Sequence, residues 1–147
     1  MKNLKDYVHF FLGCQFQLFW RNDDGTTEYE RDGELVTIRP QDKDTHGLVF
    51  RCKTKGDNFI EMAYPFEDVK PIFKPLSDYK EVNNEGLNDI NCDLSNQMEI
   101  VDLANKQLHY SSATFETVRL CLENRVDVFN LIDEGLAINA TELKAAI

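Results

Sequence analysis

The sequence predicts an α+β protein: a short N-terminal helix, a small twisted or SH3-like β-barrel sheet, and C-terminal helices. Three observations carry that prediction. Apolar residues recur at helical spacing over residues 4–12, alternate from Cys14 onward, and return to steps of three and four after Ser112. Turn-forming clusters punctuate the alternating part at roughly ten-residue intervals. Three of the four prolines, Pro65, Pro71 and Pro75, then fall between Pro65 and Asp78, where the strand-like pattern stops.

Leu4, Tyr7, Val8, Phe11 and Leu12 form one helical stripe, with Asn3 as N-cap and Gly13 as the residue that ends it. His9 and Phe10 point away from that stripe. Phe16, Leu18 and Trp20 alternate with Gln15, Gln17 and Phe19, the pattern of a half-buried strand. Asn22-Asp23-Asp24-Gly25 turns the chain into an edge strand over Thr26–Glu30, and Arg31-Asp32-Gly33 reads as a second turn. Three further strands follow, over Glu34–Arg39, Leu48–Lys53 and Asn58–Tyr64, the last two joined by the tight turn Lys55-Gly56-Asp57. Phe66-Glu67-Asp68 makes a single helical turn. Proline fixes φ and pushes its predecessor toward extended backbone, so Val69–Leu76 reads as the exit strand, at a sheet edge or barrel seam.

Beyond that joint the composition changes. Residues 77–95 form an acidic connecting segment with a short strand at Leu87–Cys92. Ser95 caps a helix over Asn96–Leu108, with Met98, Val101 and Leu108 inward. Ser111 or Ser112 opens the strongest helical pattern, with Phe115, Val118, Leu122, Val126, Phe129, Ile132 and Leu136 as its stripe. Asn124 or Asp127 breaks it into two helices, and Gly135 ends the second. A short extended exit at residues 137–140 precedes a last turn capped by Thr141. The chain thus divides into residues 1–76, a helix plus a small barrel-like subdomain; the connecting segment 77–95; and residues 96–147, a helical subdomain docked on the first.

At 147 residues the chain is long enough to bury a core, and its 10 Phe, 5 Tyr and 1 Trp argue for a folded globule. No apolar run approaches the ~18–20 residues that span a bilayer. No signal-peptide pattern opens the chain, so the expected setting is soluble and intracellular. Cys14, Cys52, Cys92 and Cys121 have no close spacing, which argues against a zinc site and for buried, reduced thiols. The charge is uneven: residues 1–76 hold 11 Lys/Arg against 13 Asp/Glu, and residues 77–147 hold 5 against 13. That balance disfavours phosphate backbones as direct partners and fits a protein partner with a basic surface. Glu116, Glu123 and Asp127, which cannot all face inward with the apolar stripe, are the candidate partner-binding acids.

No P-loop, GxGxxG, GxSxG or HExxH is present, and no cofactor or catalytic residue is predicted. His9, His46 and His109 stand far apart. Asp42, Asp44 and His46 share one polar loop and read as a turn rather than an ion site. Asp89, Asp93, Glu99 and Asp102 lack the alternating oxygens and central glycine of a calcium loop. Glu61 and Glu67 are candidate buried carboxylates. Trp20, Phe19, Tyr29 and Tyr64 would line a groove if exposed, but their alternation favours core positions. Arg51, Lys53 and Lys55 form a local basic cluster that reads as a solvated strand face.

Three segments carry a resemblance: Leu4 to Cys14; Glu67-Asp68-Val69-Lys70-Pro71-Ile72-Phe73-Lys74-Pro75-Leu76-Ser77-Asp78; and Val126 to Asn139, with Phe129-Asn130-Leu131-Ile132-Asp133-Glu134-Gly135-Leu136-Ala137-Ile138. In that order they resemble a loose group of small phage- and prophage-encoded proteins, which share a Lys-Pro-Ile-x-x-Pro-Leu-Ser joint and a Phe-x-Leu-Ile-x-x-Gly-Leu-Ala-Ile tail. The group has no assigned catalytic residue. The resemblance implies a viral origin and the host cytoplasm. The leading expectation is a phage accessory protein that binds a host or phage protein, in counter-defence or host takeover. The alternatives are a virion structural or assembly component, and a small enzyme or nucleotide-binding protein without a familiar motif.

Overall fold

The computed structural model describes residues 2–40, 47–81, 85–90 and 92–145. The protein is α+β. It divides into two compact units, Met1–Ile72 and Phe73–Ile147, and the division falls within the proline-marked joint. The loop holding Asp42, Asp44 and His46 lies outside the described residues.

In the N-terminal unit, Leu4–Asp6 and Val8–Phe11 are two 3₁₀ turns, not the α-helix expected. Tyr7, at φ −119°, interrupts them, and a stretch this short gains too few α-type bonds to hold a helix by itself. The cap is as expected, since Asn3 Oδ1 accepts from Lys5 N–H at 3.0 Å. The expected apolar face is also largely kept: Leu4, Val8 and Phe11 are buried, His9 and Phe10 are exposed, and Leu12 departs by being exposed. Hydrogen bonds from Gly13 N–H to Leu35 C=O and from Leu35 N–H to Cys14 C=O tie the end of these turns to the sheet.

The sheet comprises β1 (Gln15–Arg21), β2 (Thr27–Ile38), β3 (Leu48–Lys53), β4 (Phe59–Tyr64) and β5 (Val69–Phe73), running antiparallel in the order β4-β3-β2-β1-β5. It is open, not a closed barrel. Phe16, Leu18, Leu35, Leu48, Phe50 and Cys52 fill its core-facing side, with Phe16 edge-on to Phe50 at 5.1 Å between ring centroids. Pro71 sits inside β5 opposite Phe16. The extended run ends at Pro75, because Leu76–Tyr79 is a 3₁₀ turn.

The largest departure is β2. Arg31-Asp32-Gly33 is not a turn, and Thr26–Glu30 is not a separate edge strand: one twelve-residue strand, Thr27–Ile38, runs through Gly33. Glu34 pairs with Gln15 on one side and Arg51 on the other. Gly33 is needed for room rather than for a turn. A Cβ there would stand 3.0 Å from Leu18 Cδ1, 3.0 Å from Phe50 Cβ and 3.1 Å from Cys52 Sγ. The Leu18 methyl can swing aside, but Phe50 Cβ is fixed to β3. Gly33→Ala is therefore expected to destabilise the protein by about 1–3 kcal/mol through overpacking. Urea unfolding checks this, and an unchanged midpoint would contradict it.

The C-terminal unit holds α1 (Glu85–Asp89), α2 (Leu94–Ala104), α3 (Phe115–Glu123), the two-residue β6 (Ile138–Asn139) and α4 (Ala140–Ala145). A helix thus stands at residues 85–89, and Leu87–Asp89 is helical where a strand was expected. Asp93, not Ser95, caps α2, accepting from Asn96 N–H at 3.0 Å. Asn139, not Thr141, caps α4 through Thr141 and Glu142 N–H. The long pattern after Ser112 is one short helix followed by turns. Its inward face is Thr117, Leu120 and Cys121, which puts Phe115 on the opposite side.

Candidate functional site

The surface of the C-terminal unit is set by how α2 meets α3. Thr114 caps α3 through its own hydroxyl, and Glu99 on α2 accepts from Thr114 N–H at 3.1 Å and from the Thr114 hydroxyl at 2.7 Å. Thr117 is fully buried, and its hydroxyl lies within hydrogen-bond reach of both Glu99 and Asn96. Burial raises the Glu99 pKa, but the hydrogen bonds from Thr117 and Thr114 outweigh it and hold the carboxyl below its usual range. Glu99 and Asp93 therefore serve as helix clamp and cap.

This clamp fixes which side chains face out. Phe115 is 81% exposed, and on α2 Leu94 and Met98, one turn apart, are exposed as well. Met98 and Phe115, both expected inside, are thus on the surface. Elsewhere in the same unit Asp89, Asp93, Asp102, Glu116 and Glu123 are exposed as well. Of the three candidate acids, Glu116 and Glu123 stand on α3 as expected, and both pair with Arg119 between them. Asp127 does not belong to that face. It is buried, and its carboxylate accepts from Leu131 N–H and Ile132 N–H, each at 2.8 Å.

In the N-terminal unit the aromatics expected in the core divide. Tyr64 is buried, edge-on to Phe50 at 6.0 Å. Trp20 and Tyr29 are exposed, and Phe19 is half-buried with its ring 6.3 Å from Tyr29. A one-residue shift in pairing between Leu18 and Phe19 sets Phe19 against Tyr29. Arg51 lies over the Phe59 ring at 4.2 Å, and Lys53 pairs with Asp57 at 3.3 Å, so the basic cluster is an outer strand face. Arg21 holds the buried Asp68 through Nε at 2.9 Å and Nη2 at 2.7 Å. Glu61 and Glu67, read as candidate buried carboxylates, are exposed.

All four cysteines are free, and Cys14, Cys52 and Cys121 are buried. Burial pushes the Cys121 thiol up to about 12 and raises Cys52 and Cys92, so these sulfurs stay protonated and weakly nucleophilic. His109 spends Nδ1 on Ser111 N–H at the start of a 3₁₀ turn. Among the described residues no three His, Cys, Asp or Glu side chains gather as a metal site, and no helix is long and apolar enough to cross a membrane. No protein-family model, no curated protein and no solved structure matches the chain.

Proposed function

We propose that the chain is a binding protein that engages a protein partner of basic surface through the outer side chains of α2 and α3. The observation that carries this reading is the exposure of Phe115, Leu94 and Met98 on two helices that also expose Asp102, Glu116 and Glu123. Large exposed apolar side chains on a mainly acidic surface are the makings of an interface: the apolar groups supply buried area, and the charges steer encounter and select the partner. The motif resemblance supports a phage accessory role in the host cytoplasm, in counter-defence or host takeover.

The test compares two baits in the same cell extract: the wild-type chain, and a Met98→Ala/Phe115→Ala variant with an unchanged melting temperature. The expected result is a basic protein retained by the wild type and reduced about tenfold or more on the variant, the loss that one or two interface anchors produce. Equal retention on both baits, or no basic protein on the wild type, overturns the reading.

A further inference from the structure

β4 is the end strand of the sheet, and its outer edge is open. The hairpin from β3 to β4 closes with Thr54 N–H donating to Asn58 C=O at 2.7 Å, which sets the phase of the ladder. Hydrogen-bonded and non-hydrogen-bonded pairs alternate along antiparallel strands. Cys52/Ile60 and Phe50/Met62 are therefore hydrogen-bonded pairs, and the N–H and C=O groups of Phe59, Glu61 and Ala63 face away from β3. Among the described residues nothing bonds these outward groups.

Such an edge is ordinarily blunted by proline, lysine or a bulge. β4 has none of these: its six residues run in unbroken register with β3, and Glu61 is its one charge. Apolar side chains are exposed on both of its faces. Phe59 is 52% exposed on the outer face, and Ile60 is 42% exposed on the side that carries Met62.

The strand is also complementary to itself. Open backbone groups must meet open backbone groups, so antiparallel pairing of two copies centres on Ile60, Glu61 or Met62. Centring on Glu61 sets two carboxylates directly opposite each other, which is destabilising. Centring on Met62 brings Phe59 to the second copy's Pro65, which has no N–H to give. Centring on Ile60 sets Phe59 opposite the second copy's Glu61 in hydrogen-bonded pairs, with Ile60 against Ile60 in the close pair between them. Arg51 covers the Phe59 ring at 4.2 Å, so this register brings Glu61 to the second copy's Arg51. Among the described residues neither Arg51 nor Glu61 has an ion pair within its own chain.

We propose that the outer edge of β4 is a dimerisation surface, on which a second copy of this chain pairs its own β4 antiparallel about Ile60. Both copies use the same edge, so the pairing closes as a two-fold dimer. The apolar side chains of Phe59 and Ile60 are covered, and the Glu61 and Arg51 charges are matched across the seam. The edge belongs to the N-terminal unit, and the proposal does not depend on the α2–α3 surface.

Sedimentation equilibrium of the full chain should show monomer and dimer in exchange between about 10 μM and 1 mM, the weak affinity expected of a small interface. Amide exchange, followed residue by residue, should slow about twofold or more at Phe59 and Glu61 from the dilute to the concentrated end. Ile60 and Met62 are already protected by β3. Ile60→Lys and Ile60→Glu each set like charges opposite one another, so each variant should stay monomeric, while an equimolar mixture of the two should dimerise. If either variant fails to fold, the exchange of the wild-type amides decides alone. A wild-type chain monomeric to about 1 mM, or a dimer in which Phe59 and Glu61 gain no protection, overturns the proposal. So do folded variants that pair singly as well as the wild type, or no better when mixed.

Discussion

Phe129→Ala should destabilise the protein by about 3–5 kcal/mol, the range for a buried aromatic truncated in a core that cannot fully collapse. Phe129 is buried in the C-terminal unit, with its ring edge-on to Tyr110 at 5.0 Å. Removing it deletes that contact and leaves a cavity. For a chain of this length the melting temperature should fall by roughly 6–20 °C. An unchanged melting temperature would mean that the ring contributes no packing to the folded state.

Asp127→Ala should cost about as much for a different reason. Its carboxylate accepts two backbone N–H groups, from Leu131, which is buried, and from Ile132. Hydrogen bonds to a charged acceptor contribute about 1.5–3 kcal/mol each, so the expected loss is about 3–6 kcal/mol. Asp127→Asn should fall between wild type and Asp127→Ala, because the two N–H groups bond different oxygens and the amide replaces one of those oxygens with an NH2 donor. Thermal and urea unfolding of both variants check this. A near-neutral Asp127→Ala would return Asp127 to the surface set with Glu116 and Glu123.

The strand-rich half was legible because alternation, turn residues and prolines report local geometry. Leu48–Lys53, the Lys55–Asp57 turn, Phe59–Tyr64 and the single turn at Phe66–Asp68 stand where the pattern places them. Gly33 is ambiguous in the sequence because glycine signals a turn and a close approach equally well. Which one applies depends on Leu18, Phe50 and Cys52, residues distant in sequence.

The end of α2 is hidden for a related reason. α2 and α3 both stop at an asparagine followed by a basic residue in the left-handed region: Asn105-Lys106 at φ 60° and Asn124-Arg125 at φ 58°. In each, the next N–H reaches back to close the last turn, Gln107 to Asp102 C=O and Val126 to Cys121 C=O, both at 2.8 Å. With no glycine to mark the stop, the apolar spacing extends the first of these expected helices to Leu108, whereas α3 ends at Asn124, one of the two expected breaks. Lys106 and Arg125 place positive charge at the negative end of each helix, a signal that was present in the sequence. The outward face of α2 and α3 was legible only in its charge. The exposure of Met98 and Phe115 follows from the Glu99–Thr114–Thr117 clamp, which no period reveals.

Recognition of a basic protein by the outer side chains of α2 and α3, as proposed, rests on charge and is open to direct measurement. The most direct measurement is the affinity of the captured partner for the wild-type chain and for a Glu116→Lys/Glu123→Lys variant, titrated from about 50 mM to 500 mM salt. Surface charges are screened over roughly 10 Å at 0.1 M salt. Association is expected to weaken steadily with salt, and the variant to bind more weakly at the low-salt end while melting like the wild type. An affinity indifferent to both salt and charge reversal would contradict it.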